Sequence, residues 1–378
     1  MTRLTAQIGT PVTQGLTLLE AVRSRPGMYI GSTDSVGLNR LLSWLIELPA
    51  SGVRFKLVTT VKVKFNSDGT ITVSHDGPGL PSVSPYPDRA SMLETIVTQE
   101  RVEDTAKELS PIYVVGDPFM LPLLYGVTNA LSERFVIESH TYSGRSRFNC
   151  MRGVPIGPAE LIDSEPGQGL SVTFLPAPTI FNHVNYSLET IRERLDELAW
   201  LYSGLTIRFI DERSGESATF RYTNGLAEKL ALIVPQAGRL HSEPIAITGR
   251  TERTNWEAAL QFTDGGAEEI RSYVNATATS SHGTHVAGLR AAVSNSLDRV
   301  AKQTGATRVR LKRGAYRCGL KALISVHVDL PVYRGATRER LANPEVRSSI
   351  ASGALRLLEE YFNENPDVAR AIIERQRI

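Results

Sequence analysis

Cysteine is scarce in this 378-residue chain: two residues, Cys150 and Cys318, far apart and without a CxxC or His-rich neighbourhood. That supply excludes a cysteine-built zinc site and implies no disulfide framework, and it makes a reducing, cytoplasmic setting the expectation. Long apolar runs are missing too. The opening segment MTRLTAQIGTPVTQG has no apolar stretch of the kind a secretory signal carries, and nothing approaches the ~20 continuous apolar residues of a membrane helix, so no membrane partner is expected. Neither sign of charge dominates. Lys and Arg total 42 against 40 Asp and Glu, a formal net charge of +2, so any attraction to nucleic acid has to come from local patches. There is no internal repeat and no low-complexity tract.

What is present is ordinary globular composition, 41% hydrophobic and 22% charged, at a length that suggests two or three domains. Residues 1–14 are polar and read as an extended arm. A helix is predicted from near Gly15 to before Arg25-Pro26-Gly27, and a second from Gly37 to about Glu47, stopped by Pro49. VTTVKVKFN and TITVSHD alternate apolar and polar residues around Ser67-Asp68-Gly69, the pattern of a β-hairpin. Residues 81–122 are proline-rich and read as a long loop region around one helix. Strand patterns dominate from Glu133, interrupted by the helix SLETIRERLDELAWLYSG, and Asn224-Gly225 is a natural break. The strand WEAALQFTDG, the helix THVAGLRAAVSNSLDRVAKQ, the strand KALISVHVDLP and a terminal helical segment follow. Strands and helices mixed without strict alternation predict an α+β architecture. One basic cluster stands out: Arg308, Arg310, Lys312, Arg313, Arg317 and Lys321. Such runs are commonly solvated faces.

Six blocks occur in one order: LLEAVRSRPGMYIGSTD, HDGPGLP, NALSERF, RERLDELAWLYSGLTIRFIDERSGE, HGTHVAGLRAAV and LANPEVRSSI. In sequence and spacing they resemble the N-terminal half of the bacterial gyrase B and topoisomerase IV B subunits, from about residue 12 to the end of the chain. The resemblance implies a two-layer GHKL (Bergerat-type) ATPase domain followed by a transducer domain like domain 2 of ribosomal protein S5. The domains would be a dimerisation arm at 1–15, the ATPase-like domain at 16–225 and the transducer at 226–378. The sequence ends where the family would continue into its metal-binding DNA-cleavage (Toprim) region.

The resemblance also implies a nucleotide pocket, and there the match fails. Members hydrolyse ATP with a Glu that activates water and, one helical turn later, an Asn that holds Mg²⁺. Counting from Gly37-Leu38 puts Trp44 at the general-base position and Leu48 at the Mg²⁺-ligand position. Glu47 is adjacent but points ~100° away on a helix. The residue before the family's Asp-Gly-x-Gly, an adenine-binding Asp, is His75, followed by Asp76, Gly77 and Gly79, and the pocket threonine aligns with Leu170. The phosphate-wrapping glycine lid aligns with the apolar Pro118–Leu124, where Gly116 and Gly126 flank a segment poor in the N–H groups and φ freedom a phosphate nest requires. The transducer's Gln-Thr-Lys loop corresponds to Ala336-Thr337-Arg338. The scaffold is kept while the pocket is replaced, so the expectation is a pseudo-ATPase without cofactor or metal site. It would act by protein or DNA association and bear on a type II topoisomerase, as a homodimer or as a heterodimer with a gyrase-B-type subunit. The alternative is an ATP-binding protein with weak or altered hydrolysis, in which ATP and Mg²⁺ are retained. For duplex DNA the candidate contacts are Arg290, which matches a family arginine in AGLRAA, with Arg308, Arg310, Lys312, Arg313 and Arg317.

Overall fold

A computed structural model of the chain describes residues 17–81, 91–98, 120–181, 186–303, 315–335 and 338–375. The expected arm at 1–15 lies outside these residues. The chain enters helix α1 (Leu18–Ser24) through a capping box. Thr17 accepts from the Glu20 N–H while the Glu20 carboxylate takes the Thr17 N–H, which satisfies two donors that a helix start leaves open. RPGMYIG forms a short helix α2 (Pro26–Ile30), begun by Pro26 where no N–H is needed and ended at Gly31 with φ +85°. Helix α3 (Ser35–Ser51), capped by Asp34, runs past Pro49 and does not stop before it. Proline deletes one backbone bond near the helix end, and the burial of Ile46, Pro49 and Ala50 holds the last turn in place.

The first sheet contains β1 (Thr60–Phe65), β2 (Ile71–His75), β3 (Ser132–Thr141), β4 (Gly144–Met151), β5 (Val154–Pro155), β6 (Glu160–Asp163), β7 (Gly169–Pro176), β8 (Thr206–Asp211) and β9 (Glu216–Arg221). Their order is β5-β4-β3-β7-β2-β1-β8-β9 with β6 on β4, and only the β1–β8 pair among these is parallel. β1 and β2 are the predicted hairpin. Alternation along the strands sends Val61, Val63, Ile71, Val73, Phe135, Val172 and Phe209 to one buried face. Against the sheet and one another pack α3, α4 (Met92–Thr98), α5 (Met120–Ala130) and α6 (Leu188–Leu201).

Helix α7 (Gly225–Ile233) opens the second half of the chain at the Asn224-Gly225 break. Strands β10 (Ile245–Arg250), β11 (Thr254–Phe262), β12 (Glu269–Val274), β13 (Thr277–Ala278) and β14 (Leu320–Val328) form a second sheet in the order β10-β11-β14-β12-β13. Helices α8 (Thr284–Gln303), α9 (Pro344–Glu364) and α10 (Pro366–Arg375) build its core, and β15 (Tyr333–Arg334) pairs with β16 (Arg340–Leu341). The two halves share apolar contacts. Leu226, Leu230, Ala259, Tyr273 and Leu323 belong to the first half's core, and Trp200 meets Tyr273 edge to face at 5.2 Å. No helix among the described residues is long and apolar enough to cross a membrane.

Candidate nucleotide pocket and cation sites

Val61, His75, Leu170 and Ser139 stand side by side across β1, β2, β7 and β3. All four are buried on the helix-covered face. His75 Nδ1 accepts the Gly77 N–H at 3.2 Å. Burial, against the opposing pull of Asp76, lowers the His75 pKa to about 4, so the ring is neutral. A neutral imidazole that accepts at Nδ1 carries its proton on Nε2, which is then a donor and not an acceptor. A carboxylate at the same place would accept. Leu170, opposite His75 on β7, adds neither donor nor acceptor.

Asp76 does not join this row. One carboxylate oxygen accepts the N–H groups of Thr59 and Thr60, each at 2.9 Å, and the other takes the Thr59 hydroxyl. Burial opposes its ionisation, but these bonds outweigh it and hold the carboxyl below its ordinary range. Through these bonds Asp76 ties the end of β2 to the start of β1. Gly77 and Gly79 serve close packing. A Cβ on Gly77 would lie 2.6 Å from Val58 Cγ2, and one on Gly79 would strike the His140 carbonyl.

On α3, Trp44 and Leu48 are one turn apart and so share a face. Both are half-buried and pack against the first core. Glu47 is turned elsewhere: its carboxylate meets Arg194 Nη2 at 2.5 Å. Arg194 also binds Glu197 and donates to the Ala276 carbonyl at 2.9 Å. Glu47 is thus held in an ion pair whose arginine also reaches the second half of the chain. Sequence reasoning missed this link, since an Arg within RERLDEL carries no local sign of a partner 147 residues away.

Of the segment aligned with the glycine lid, 118–119 lie outside the described residues, and from Met120 the chain is helix α5. Gly126 sits inside that helix and not in a turn; a Cβ there would be 3.0 Å from Leu18 Cδ2. Arg338 is exposed, at φ +59°, with its guanidinium 6.0 Å from the Tyr333 ring centre. Among the described residues no three His, Cys, Asp or Glu side chains group as a metal site. Arg308, Arg310, Lys312 and Arg313 lie outside the described residues. The other cations meet carboxylates: Arg290 holds Glu268 through Nε at 2.9 Å and Nη2 at 2.5 Å, Arg317 lies 3.8 Å from the same Glu268, and Lys321 pairs with Glu269. Arg290 is therefore not the uncompensated positive charge that a free DNA contact would present.

A DNA gyrase B family model matches residues 225–377. The DNA gyrase B protein of Clostridium acetobutylicum is 32% identical over 365 residues, covering 94% of this chain and 56% of that protein. The corresponding topoisomerase 4 B protein of Bacillus subtilis is 31% identical, covering 94% and 55%. The 43K ATPase domain of Thermus thermophilus gyrase B, solved in complex with an aminocoumarin, superposes with a TM-score of 0.84 at 28% identity over 95% of this chain and 93% of that one. The chain belongs to the gyrase B family. Its fold is the family's α+β arrangement of a GHKL ATPase-type layer pair and a transducer. A topoisomerase IV ATP-binding domain from Francisella tularensis, with a TM-score of 0.79 at 24% identity, shares that fold. The chain spans about half the length of the curated gyrase B relatives it matches. Within a gyrase-B-type frame, Trp44, Leu48, His75 and Leu170 are the residues at issue, and their side chains offer neither a carboxylate nor a metal-binding oxygen.

Proposed function

We propose that this gyrase-B-type chain does not turn over ATP and acts by association with protein or DNA. One observation carries the reading. Trp44 and Leu48 stand one turn apart on α3, at the positions that the resemblance aligns with the family's water-activating Glu and Mg²⁺-binding Asn, and the neighbouring carboxylate, Glu47, is committed to Arg194. Phosphoryl transfer to water depends on a positioned water and a metal that offsets phosphate charge. Side chains of tryptophan and leucine supply neither. Under this reading no ATP or Mg²⁺ is required. The partner is a second copy or a gyrase-B-type protein, met through residues 1–15 in the cytoplasm, and a type II topoisomerase is the process affected.

The second reading is an ATP-binding protein with weak or altered hydrolysis. The comparisons favour it: the Thermus thermophilus relative is an ATPase domain, and it matches over 95% of the chain. Calorimetric titration with ATP and a non-hydrolysable analogue, with and without Mg²⁺, beside a turnover assay, separates the two. The first reading expects no saturable heat and no phosphate release above background, since loss of a general base alone costs ~10²–10⁴ in rate. Saturable binding with slow turnover transfers the conclusion to the second reading. Turnover at the rate of a gyrase B ATPase region, abolished by His75→Ala, would overturn the first.

A further inference from the structure

Strand β9 (Glu216–Arg221) closes one end of the first sheet, with β8 on one side and no described strand on the other. The direction of its backbone groups follows from its neighbours. The Thr206 N–H bonds toward β1, to the Thr59 carbonyl, so Ile207 and Phe209, one and three residues on, turn theirs toward β9. On β9 they pair with Phe220 and Ala218, and the Tyr222 carbonyl continues that series by accepting the Gly204 N–H. Ser217, Thr219 and Arg221 therefore aim their N–H and C=O groups outward, where no described residue bonds to them. Proteins blunt such edges with a proline, a bulge or a very short strand. β9 has no proline, pairs with all of β8 without a register shift, and is exposed at these three residues.

Charge beside this edge is left open in a way the rest of the face is not. On the side of the sheet away from the helices, Lys64 meets Glu212 at 2.6 Å, Arg134 meets Asp68 at 2.7 Å, and Arg147 meets Glu138 at 2.5 Å. Lys62, Arg208 and Arg221 share that side, are exposed, and make no ion pair with any described residue. Asp76, at the same end of β2, is committed to Thr59 and Thr60. Lys62 and Arg208 stand side by side in register, and Thr219 is the next residue in the row, on β9. Like charges so placed repel. The small Thr219 leaves the Arg208 guanidinium room toward the edge, one strand spacing of ~4.8 Å away. Arg221 is on the edge strand itself. The other side of β9 shows Ala218 and Phe220, half-buried against the first core, while Glu216 is held there by Arg192 at 3.0 Å. A strand laid along β9 would find cations on one face and apolar surface on the other.

We propose that β9 takes up, as an added strand, an extended segment of a partner protein in which acidic and apolar residues alternate. The segment's main chain bonds to Ser217, Thr219 and Arg221. Its carboxylates meet Arg221 and Arg208, and its apolar side chains cover Ala218 and Phe220. In strand addition of this kind the backbone supplies affinity and the alternate side chains supply specificity. Nucleic acid suits the edge less. The open side of β9, β8 and β1 carries no aromatic side chain on which a base could stack, and phosphate oxygens cannot donate to the outward carbonyls. The inference rests on the reading of this chain as one that acts by association with protein, and the two fail separately. ATP turnover would remove that reading without touching the peptide measurement, and absent peptide binding would remove this site without touching the nucleotide titrations.

The probe is the end-blocked peptide Gly-Glu-Val-Glu-Val-Glu-Gly, titrated calorimetrically into the full chain beside two altered forms. One carries glutamine for each glutamate, and the other is N-methylated along its length. The parent peptide binds. The glutamine form, lacking two exposed charge pairs, binds about three- to tenfold more weakly, and the N-methylated form, which cannot donate to the edge, does not bind. Arg208→Gln with Arg221→Gln abolishes the discrimination between glutamate and glutamine forms. Thr219→Pro removes an outward N–H at an edge position where proline is accepted, and it abolishes binding while the circular dichroism of the chain is unchanged. Arg356→Ala, on the exposed surface of α9, changes nothing. The altered peptides act on the unaltered protein, so the assignment is tested even if Thr219→Pro fails to fold. No heat from the parent peptide, or equal binding of its glutamine or N-methylated form, overturns the proposal. So does duplex DNA that binds through Arg208 and Arg221 where the peptide does not.

Discussion

At the end of β2 a single residue reverses the polarity of a hydrogen-bonding group. An aspartate there could only accept; His75, with Nδ1 occupied by the Gly77 N–H, has only a donor left at Nε2. The identity of the residue was legible in the sequence, but the reversal was not, because it depends on a bond to the backbone two residues on. Burial also gives the histidines a collective effect. The pKa values of His75, His285 and His327 lie at about 4, 3 and 3, while an unfolded chain titrates its histidines near ~6.5. As pH falls below ~6.5 the unfolded state takes up protons that the folded state refuses, so stability present above that pH is lost on the way to about 4. Glu257 works in the opposite sense. Its folded pKa of about 7 exceeds the unfolded value of ~4.3, so its stabilising contribution is complete below ~4.3 and disappears as pH rises through about 7. His241 and His282 are lowered as well and Glu47 is raised beside Glu257, so the histidines outnumber the opposing glutamates and the net effect between pH ~6 and ~4.5 is stability that falls with pH. Urea midpoints measured across that window should fall as pH falls, and His327→Gln should flatten the slope by about one proton. Rising midpoints would contradict this account.

Among the elements, those with a strong local period were readable: the β1–β2 hairpin, α6, α8 and the alternating strands β3, β4 and β7. Helix α7 and strands β10 and β12 were not, because Gly225–Ile233 lacks an N-terminal cap side chain and β10 and β12 take their direction from their neighbours on the second sheet. The most consequential unreadable feature is the link from α6. Arg194 joins Glu47 on α3, Glu197 on its own helix and the Ala276 carbonyl between β12 and β13, so one guanidinium spans three elements and both halves of the chain. Its side chain is 19% exposed and that of Glu47 is 27%. Burial raises the Glu47 pKa, and Arg194 counters it. Removing the arginine leaves that carboxylate without compensation, which in buried pairs costs about 3–5 kcal/mol; partial exposure puts Arg194→Met at the lower end. Glu47→Gln should be milder, and the double variant should lose less than the sum of the singles. Additive losses in denaturant titrations would show that the pair is not coupled.

For the molecule as a whole, a near-balanced charge leaves DNA affinity to local cations, and carboxylates hold the described cations nearest Arg290 on the transducer in check. Glu268 is the control point. It receives two bonds from Arg290 and lies 3.8 Å from Arg317, so a phosphate approaching either arginine competes with a carboxylate that is only 17% exposed. Each phosphate neutralised contributes about −0.9 to the slope of log affinity against log salt. Arg290→Ala in the native chain should therefore barely change that slope, because the charge removed was already compensated. Glu268→Gln keeps the side-chain shape and frees both arginines. It should tighten duplex binding at low salt and steepen the slope by up to about two units. Fluorescence-anisotropy titrations of a labelled duplex over a range of salt concentrations measure both effects. If Arg290→Ala alone flattens the native slope by a full unit, the arginine already meets phosphate and Glu268 does not restrain it. If Glu268→Gln leaves affinity and slope unchanged while the protein stays folded, this face of the transducer takes no part in DNA binding, and association with protein is what the scaffold serves.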